Sequence, residues 1–326
     1  MPSLQYQAIS SRLKQTFAIS RGSKTSAETI RVTLIENGVA GHGECVPYGR
    51  YGETVASVSD QIEQARPALE NGIDREALQT IMPAGAARCA IDCAFWDLES
   101  KRANVPVWQL AGLPAPTALP CTMSLSLDTP DKMAMAAKQT PAVWLKLKLG
   151  EKKQDIDRII AVHAARPDAS LVIDGNEGIA ESDYTALIKA AASNGVAFIE
   201  QPFASGRDDL LLERRSSVSI CADESVHTSA DIADLSRKYD AINIKLDKAG
   251  GLTEAINMLR QAQQYDLKIM IGCMVAGSLS MAPALLLGTA ADVIDLDGPL
   301  WLANDIAHGL RYHNGEVLPA TPQLWG

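Results

Sequence analysis

The 326-residue sequence lacks the patterns that identify several common classes of protein. It has no uninterrupted apolar run long enough to span a membrane and no basic segment followed by an apolar core at its start, so we expect a cytoplasmic protein. No Gly-x-Gly-x-x-Gly and no Gly-x-x-x-x-Gly-Lys-Ser/Thr occurs, which argues against a Rossmann sheet and against a P-loop. The six cysteines show no Cys-x-x-Cys spacing, so no disulfide framework is implied.

The sequence also has fewer basic than acidic residues. The chain has 30 Lys and Arg against 39 Asp and Glu, a formal net charge of -9, with no dense basic block. This balance argues against a nucleic acid or an acidic membrane surface as a partner, while a homo-oligomer stays open. The hydrophobic fraction of 47% and the charged fraction of 21% are typical of a globular protein with one large domain or two ordinary ones.

The first part of the chain, about residues 1–115, predicts a compact α+β domain. Residues 27–36 are rich in Ile, Val and Leu, and a turn at Asn37-Gly38 leads into a second strand over residues 39–45. Helical patterns follow, two of them amphipathic and the third rich in small residues. They cover Thr54–Glu70, Asp74–Ile81 and Ala84–Arg102.

After Pro116, short apolar strands alternate with helical patterns. The candidate strands are Thr122–Leu127, Val143–Leu149, Ser170–Asp174, Val196–Glu200, Ser219–Asp223, Ala241–Leu246, Lys268–Cys273 and Asp292–Asp297. Landmark residues on successive strands lie 22 to 28 residues apart, and this regular repetition indicates parallel strands joined by crossover helices. We therefore predict an α/β fold, a (β/α)7β TIM-like barrel over residues 116–305, with residues 306–326 returning to an N-terminal α+β capping domain.

The segment Trp-Leu-Lys-Leu-Lys-Leu-Gly at residues 144–150 alternates strictly. In a half-buried sheet, Lys146 and Lys148 would simply face water. In a closed barrel the outer face packs on helices and must be apolar, so both lysines point inward. Their Cα atoms are then about 6.6 Å apart, and at an effective dielectric constant of about 20 the ammonium groups repel by ~2.5 kcal/mol. We expect this pair to make one lysine a usable base near neutral pH.

Three acids end consecutive strands of the predicted barrel, namely Asp174, Glu200 and Asp223. The carboxyl ends of barrel strands meet at one face, so the three carboxylates should converge. Unpaired, they would repel one another and lose solvation, whereas Mg²⁺ with all-oxygen ligands would balance them. A single acid at a strand end is often a helix N-cap, but three in succession beside a lysine pair favour a metal site.

Lys245 ends the next strand, four strands after the lysine pair and therefore across the barrel from it. It alternates with Asn243 in Ile-Asn-Ile-Lys-Leu, which places it inside the barrel. A cation flanked by lysines on two sides suits a racemase or epimerase, in which one base removes an α-proton and the other delivers one to the opposite face. The metal would make that proton acidic by binding the neighbouring carboxylate.

The last strand ends in Asp-Leu-Asp-Gly-Pro, and its period of two places Asp295 and Asp297 on one face. Three other acids already satisfy a metal, so we expect this pair to bind a substrate cation such as an α-ammonium. A pair that caps its own loop is the alternative. The neighbouring strand ends in Gly272 and Cys273, where the glycine leaves room for a substrate backbone beside the cysteine.

Lys-x-Lys at residues 146–148, followed by Asp174, Glu200, Asp223 and Lys245, resembles the enolase superfamily, muconate-lactonizing subgroup. Three further motifs are similar to the dipeptide epimerases of that subgroup: Asp-Leu-Asp-Gly-Pro at 295–299, Lys-Leu-Asp-Lys-Ala-Gly-Gly at 245–251 and Gly-Glu-Cys-Val-Pro-Tyr at 43–48. The resemblance covers nearly the whole chain. It implies a capping domain, a barrel and a C-terminal tail that returns to the cap.

The resemblance also implies an activity, a Mg²⁺-dependent epimerisation of L-Ala-D/L-Glu in murein-peptide metabolism. It implies Lys148 as the base for the D centre, Lys245 as the base for the L centre, and a metal site formed by the three acids at the strand ends. The positions that would line the substrate are Ser124, Lys146, Cys273, Asp295 and Asp297. Ser124 replaces the threonine expected in the family and keeps a hydroxyl.

The resemblance also implies that a loop of the capping domain tunes specificity. A polar loop predicted over residues 17–24 carries Arg21, which we expect to bind the substrate's side-chain carboxylate, and Lys24 on the same loop is the alternative. Two other functions stay open. An o-succinylbenzoate synthase or cycloisomerase would not need Asp295 and Asp297, since its substrate lacks an ammonium group. A non-catalytic metal-binding barrel would not need lysines on both faces.

Overall fold

The computed structural model of the protein describes residues 1–150, 154–213 and 216–326. Its chain opens with an antiparallel sheet of order β1-β2-β3. The strands are β1 (Ser3–Ile19), β2 (Gly22–Glu36) and β3 (Val39–Cys45). The predicted turn at Asn37-Gly38 is confirmed, since both residues have the positive φ angles, 52° and 78°, that a tight hairpin turn favours.

The segment that we predicted as a polar loop, residues 17–24, is instead the tip of the β1–β2 hairpin. Phe17 pairs with Lys24 and Ile19 pairs with Gly22, which leaves two residues in the turn. Strand pairing satisfies the backbone groups of a polar segment as well as water does, so polarity alone did not identify a loop. The register shifts between Arg12 and Phe17, and such an irregularity bends a hairpin.

Four helices follow the sheet: α1 (Val55–Glu70), α2 (Arg75–Ile81), α3 (Ala86–Ala103) and α4 (Val107–Leu110). The helix α3 packs closely on β3 because two glycines of that strand carry no side chain. A Cβ atom on Gly41 would lie 2.3 Å from the carbonyl oxygen of Ala94, and one on Gly43 would lie 2.1 Å from that of Ala90. Either contact would force the helix away from the sheet.

The barrel sheet has eight parallel strands in sequence order from β5 to β12. They are β5 (Met123–Leu125), β6 (Trp144–Lys148), β7 (Ser170–Asp174), β8 (Val196–Glu200), β9 (Ser219–Ala222), β10 (Ala241–Ile244), β11 (Lys268–Gly272) and β12 (Val293–Asp295). The amide of Thr122 donates to the carbonyl of Ile294 at 2.7 Å, which joins the two ends of the sheet. The predicted barrel fold is confirmed.

Helices follow the strands of this sheet, and all of them except α13 lie in the connections between one strand and the next. They are α5 (Pro130–Gln139), α6 (Asp155–Ala165), α7 (Glu181–Ser193), α8 (Leu210–Glu213), α9 (Ile232–Leu235), α10 (Leu246–Ala249), α11 (Leu252–Gln264), α12 (Ser278–Leu285) and α13 (Gly298–Trp301). The short helix α9 is preceded directly by a 3-10 turn at Ser229–Asp231.

The barrel interior has an apolar floor below a polar mouth. Its floor is a cluster formed by Val172, Phe198, Cys221, Ala241, Met270 and Val293. Because strand side chains repeat with a period of two, the next inward position on β7 is Asp174 and that on β8 is Glu200. The floor excludes water from below, so polar groups at the carboxyl ends of the strands face only the mouth of the barrel.

The chain's last residues lie against the capping helix α3. Trp325 Nε1 donates to the carbonyl of Cys93 at 3.1 Å, and the amide of Gly326 donates to Asp97 at 2.8 Å. Between them and the barrel, β13 (Tyr312–His313) and β14 (Glu316–Val317) form a small sheet with β4 (Leu119–Pro120). We propose that residues 306–326 complete a capping domain of residues 1–115. No helix in the described part of the chain has both the length and the apolar character of a membrane span.

Candidate active site

The two lysines of β6 point into the barrel, as predicted, and each contacts carboxylates. Lys146 is 1% exposed. Its Nζ lies 2.6 Å from Glu200 Oε2, 2.8 Å from Asp295 Oδ2 and 3.2 Å from Asp174 Oδ2. Lys148 is nearer the mouth, and its Nζ lies 2.6 Å from Asp174 Oδ2. The inward face of this strand is therefore a row of ammonium groups held by acids from other strands.

The carboxylates change the expected ionisation of Lys146. Burial lowers the pKa of Lys146, but the negative charges of Asp295, Glu200 and Asp174 together raise that pKa well above its ordinary value. We expected repulsion between the lysines to supply a base near neutral pH. Contacts with opposite charges at close range outweigh that repulsion in this arrangement, because the Coulomb energy falls with distance.

The three predicted acids converge at the mouth of the barrel. Asp174 and Glu200 end β7 and β8 and are register partners, and Asp223 directly follows β9. Each is at most 2% exposed. Burial and the charge of Asp174 raise the pKa of Glu200 to about 8, against the opposing effect of Lys146. Such crowding of buried carboxylates marks a place that stabilises added positive charge.

Lys245 lies across the barrel from the lysines of β6. Its Nζ is 2.6 Å from Asp223 Oδ2 and 3.8 Å from Glu200 Oε1. Three strands separate β6 from β10 in the sheet, so Lys148 and Lys245 approach the acid cluster from opposite sides. Burial lowers the pKa of Lys245, but Asp223 and Glu200 raise it well above its ordinary value.

Two residues without a predicted role hold these acids in place. Lys248 Nζ lies 2.6 Å from Asp223 Oδ1 and 2.5 Å from the Asp223 carbonyl oxygen. Asn243 Nδ2 donates to Glu200 Oε1 at 2.8 Å. The period of two along β10 already indicated that Asn243 faces inward. Nothing in the spacing of the 245–251 motif indicated which acid Lys248 would contact.

Gln201, directly after Glu200, is a third such residue and is fully buried. Its Oε1 accepts from the amide of Asp223 at 2.8 Å and from that of Ser225 at 3.1 Å, while its Nε2 donates to the carbonyl of Phe203 at 2.9 Å. Its φ of 35° lies in the left-handed region, where a residue with a side chain is strained. These bonds fix the end of β8 relative to the end of β9.

The acid cluster fits a hard divalent cation. Its three carboxylates offer the oxygen ligands that Mg²⁺ prefers, and within the described residues Glu200 Oε2 accepts no hydrogen bond although Lys146 Nζ is 2.6 Å away. Over residues 1–150, 154–213 and 216–326, no three Asp, Glu, His or Cys side chains form a ready-made cage. The ammonium groups of Lys146 and Lys245 bridge the carboxylates instead, so a cation would have to replace these contacts.

The aspartate pair of β12 lies beside this cluster. Asp295 Oδ2 contacts Lys146 at 2.8 Å, whereas its Oδ1 is buried and accepts no hydrogen bond from the described part of the chain. Asp297 Oδ2 accepts from the amide of Ser124 at 2.7 Å and from Trp301 Nε1 at 3.2 Å. Burial and the charge of Asp295 raise the pKa of Asp297 to about 6. Within the described residues, Asp295 Oδ1 is therefore left for a further partner, and neither N–H donor of Asp297 reaches its Oδ1.

The tip of the β1–β2 hairpin lies over the cavity, and Arg21 joins it to the barrel. Arg21 Nη1 donates to Glu224 Oε1 at 2.8 Å and to the carbonyl of Asn176 at 2.9 Å. Glu224 is 3% exposed and follows Asp223 in the sequence. Arg21 is thus at the cavity, as predicted, but much of its charge is already balanced by an acid of the protein.

A cavity of about 360 Å³ opens between the barrel and the hairpin tip. Every predicted site residue except Asp174 and Glu200 lines it: Arg21, Ser124, Lys146, Lys148, Asp223, Lys245, Cys273, Asp295 and Asp297. Phe17, Ile19, Met274 and Val275 add an apolar wall. A concave site of this size, mostly apolar with a few convergent charges, suits a small molecule.

Both parts of the chain match one family. Residues 6–112 match the family described as mandelate racemase / muconate lactonizing enzyme, N-terminal domain, and residues 131–322 match the family described as enolase C-terminal domain-like. The chain belongs to the mandelate racemase / muconate lactonizing enzyme family of the enolase superfamily. The predicted superfamily is thereby confirmed.

Individual relatives add a reaction class. The L-Ala-D/L-Glu epimerase of Escherichia coli (strain K12) is 41% identical over 94% of this chain and 96% of its own length. The N-acetyl-D-glutamate racemase of a Pseudoalteromonas species is 38% identical over 91% of this chain and 95% of its own. These names confirm the prediction of the racemase and epimerase class of isomerase.

Solved structures agree with this class. An enolase family member from Agrobacterium tumefaciens with homology to dipeptide epimerases, with bound sodium and L-Ala-L-Glu, is 42% identical over 100% of both chains and has a TM-score of 0.97. The dipeptide epimerase from Enterococcus faecalis, complexed with Mg and L-Leu-L-Tyr, has a TM-score of 0.91 at 28% identity, covering 98% of this chain and 96% of its own.

Proposed function

We propose that this protein is a Mg²⁺-dependent epimerase of L-Ala-D/L-Glu. The observation that carries the proposal is the position of Lys148 and Lys245 on opposite sides of one acid cluster. Inversion of a carbon centre by proton transfer needs one base on each of its faces. The 41% identity to the Escherichia coli enzyme named for this reaction supports the same substrate.

In this scheme, Lys148 removes the α-proton of the D-configured second residue and Lys245 delivers a proton to the other face. The roles reverse for the L-configured residue. A lysine must be neutral to act as a base, and Asp223, which contacts Lys245, opposes that state. A cation that competes for the same carboxylates would weaken this opposition.

Asp174, Glu200 and Asp223 would hold the Mg²⁺, which would supply positive charge for the substrate carboxylate next to the reacting carbon. Lys146, which already contacts Glu200 and Asp295, would add a second positive charge on that side. The apolar floor and the hairpin tip limit the access of water, and both therefore strengthen these electrostatic interactions.

The substrate's N-terminus would face the aspartate pair. Asp295 Oδ1 is buried without a hydrogen-bond donor within the described residues, and an α-ammonium would supply one. Ser124 and Cys273 line the same part of the cavity. Arg21 or Lys24 at the hairpin tip would bind the substrate's side-chain carboxylate. Arg21 already contacts Glu224, so part of its charge is balanced before the substrate binds.

A second candidate is the racemisation of an N-acylated glutamate. It is favoured by the 38% identity to the N-acetyl-D-glutamate racemase. Both candidates share the two bases and the reacting glutamate, but an acetyl group brings no positive charge to the aspartate pair. Asp295 already contacts Lys146 through Oδ2, but within the described residues its Oδ1 and the Asp297 carboxylate have no cationic contact, so we prefer a substrate with a free ammonium group.

The test is to incubate the protein with Mg²⁺ and each of L-Ala-L-Glu, L-Ala-D-Glu and N-acetyl-D-glutamate in D₂O. NMR follows exchange of the α-proton and inversion separately. We expect both events with the dipeptides, and their loss after exhaustive chelation. Faster turnover of N-acetyl-D-glutamate would establish the second candidate, and no exchange in any compound would leave a non-catalytic metal-binding barrel.

A further inference from the structure

The short helix α13 directly follows the aspartate pair, and the first strand of the protein holds it. The amide of Ala303 donates to the carbonyl of Arg12 at 2.8 Å, and Lys14 Nζ donates to the carbonyl of Leu300 at 3.0 Å. Leu13 forms a bridge with Leu302. The capping strand β1 therefore determines where α13 lies relative to the end of β12.

Trp301, the last residue of α13, connects this contact to the cavity. It is 3% exposed and packs in an apolar cluster with Leu13 and Leu302. On one side its ring makes an edge-to-face contact with Phe17, with centroids 4.6 Å apart. On the other side its Nε1 donates to Asp297 Oδ2 at 3.2 Å. The indole thus has a fixed position between the hairpin and the aspartate.

Two N–H groups in the described part of the chain donate to the same oxygen of the Asp297 carboxylate. The amide of Ser124 and the indole of Trp301 donate to Oδ2. A carboxylate held twice at one oxygen cannot rotate without losing a bond, so its other oxygen has a defined direction. Asp297 and Ser124 line the cavity, whereas Trp301 does not. Trp301 therefore holds the carboxylate from outside the cavity, and within the described residues neither N–H donor reaches Oδ1, which is left for a ligand.

We propose that Trp301 is a positioning residue for substrate selection: it fixes Asp297 so that the free carboxylate oxygen meets the α-ammonium of the substrate's first residue. This inference rests on the proposed function. Trp301 does not touch the substrate and acts only through Asp297. Because Phe17 sits in the hairpin tip and braces the indole, the cap contributes to selection at the N-terminus of the substrate.

The experiment compares two ligands that differ only at the ammonium group. L-Ala-L-Glu carries it, and N-propionyl-L-glutamate has hydrogen in its place. The KM of the first and the competitive Ki of the second are measured for the wild type and for Trp301→Phe, which keeps a ring against Phe17 but loses the N–H. We expect the KM of L-Ala-L-Glu to rise about tenfold, with kcat and the Ki of N-propionyl-L-glutamate nearly unchanged.

Trp325→Phe is the matched control. It also removes a buried indole hydrogen bond, the one to the Cys93 carbonyl in the capping helix, and should leave both constants unchanged. If Trp301→Phe weakens both ligands by the same factor, or neither, the residue is merely structural and the inference is wrong. If Trp301→Phe does not fold, Phe17→Leu is measured in the same way, with a selective loss of about threefold expected and an equal loss for both ligands contradicting the inference.

Ligand binding by the wild type distinguishes a failure of this inference from a failure of the proposed function. If the wild type binds N-propionyl-L-glutamate as well as L-Ala-L-Glu, there is no ammonium subsite, and the proposed dipeptide substrate is wrong. If the wild type discriminates between the two ligands but Trp301→Phe discriminates equally well, only the role of Trp301 is wrong.

Discussion

The two groups of acids in the cavity are held by different partners. Asp174, Glu200 and Asp223 contact ammonium groups of lysines at short range. The hydrogen bonds to Asp297 come from neutral N–H groups, those of Ser124 and Trp301. Asp295 is intermediate, since one oxygen contacts Lys146 and the other is without a hydrogen bond in the described part of the chain.

This difference in partners determines which cations each group of acids can bind. A neutral N–H donor orients a carboxylate but leaves its negative charge, so Asp297 keeps its attraction for a small cation such as an ammonium. An ammonium donor neutralises the carboxylate, so a metal must compete with lysines at the other cluster. Competition of that kind releases lysine amino groups, which suits a site in which lysines serve as bases.

The largest effect is expected when one of the two lysine bases is removed. Lys245→Ala removes the base on one face, so epimerisation of L-Ala-D-Glu and of L-Ala-L-Glu should both fall by at least about a thousandfold. The D-configured substrate should still exchange its α-proton with D₂O, because Lys148 remains on its face. NMR of each diastereomer in D₂O measures exchange and inversion separately.

Lys148→Ala is the matched variant and should show the mirror pattern, with exchange retained for the L-configured substrate. Both variants should still bind Mg²⁺, which calorimetry can check. Inversion by Lys245→Ala near the wild-type rate would indicate a single mobile base. Loss of all exchange in both variants would mean that the lysines serve only in binding.

The next largest effect is expected when one acid of the same cluster loses its charge. Glu200→Gln keeps the shape of the side chain and removes its charge, so Mg²⁺ affinity measured by calorimetry should fall about 10- to 100-fold. The rate constant kcat should fall by about a hundredfold or more. Glu177→Gln is the control, because Glu177 pairs with Arg50 outside the cluster and its loss should leave Mg²⁺ affinity unchanged. Wild-type affinity in Glu200→Gln would exclude Glu200 as a ligand.

The sequence predicted this cluster because the relevant signals are local. Alternation along residues 144–150 places the lysines, and parallel topology brings Asp174, Glu200 and Asp223 together whatever the details of packing. Strand β7 and strand β8 have the predicted bounds for the same reason. A repeating local pattern carries information about which face a residue occupies.

The partners of these residues could not be predicted in the same way. Lys146 meets Asp295 across 149 residues of sequence, and Ser124 meets Asp297 across 173. Such contacts depend on how strands and the cap pack, and no local spacing encodes them. The raised pKa of Lys146 could not be predicted for this reason, since the sequence showed its lysine neighbour but not how many acids would surround it.

A moderate effect is expected at the β12 pair. Asp295→Asn leaves the substrate ammonium without one charged partner, so kcat/KM for dipeptides should fall about tenfold to a hundredfold. Asp292→Asn is the control, because Asp292 directly precedes the same strand, accepts from the amide of Ile269 and does not line the cavity. Equal turnover of N-acetylated and free dipeptides by the wild type would show that no ammonium is bound here.

The smallest effect is expected at the hairpin tip, where the charge of Arg21 is partly balanced by an acid, as are the charges of Asp174, Glu200 and Asp223 by lysines. Its guanidinium contacts Glu224 at 2.8 Å, so only part of its charge remains for a substrate carboxylate. Arg21→Ala should therefore lower kcat/KM for L-Ala-L-Glu only about two- to fivefold more than for L-Ala-L-Leu. Steady-state kinetics with the two dipeptides measures this selectivity directly.

Lys24→Ala separates the two candidate cations. Lys24 lines the cavity and its Nζ lies 5.1 Å from the centre of the Tyr48 ring, a contact with an uncharged group that does not neutralise the ammonium. A larger selective loss in Lys24→Ala than in Arg21→Ala would assign the side-chain carboxylate to Lys24 and leave Arg21 to join the hairpin to the barrel. Equal losses for both dipeptides in Arg21→Ala would remove that residue from the specificity argument, because a residue that only holds the tip closed affects every substrate alike.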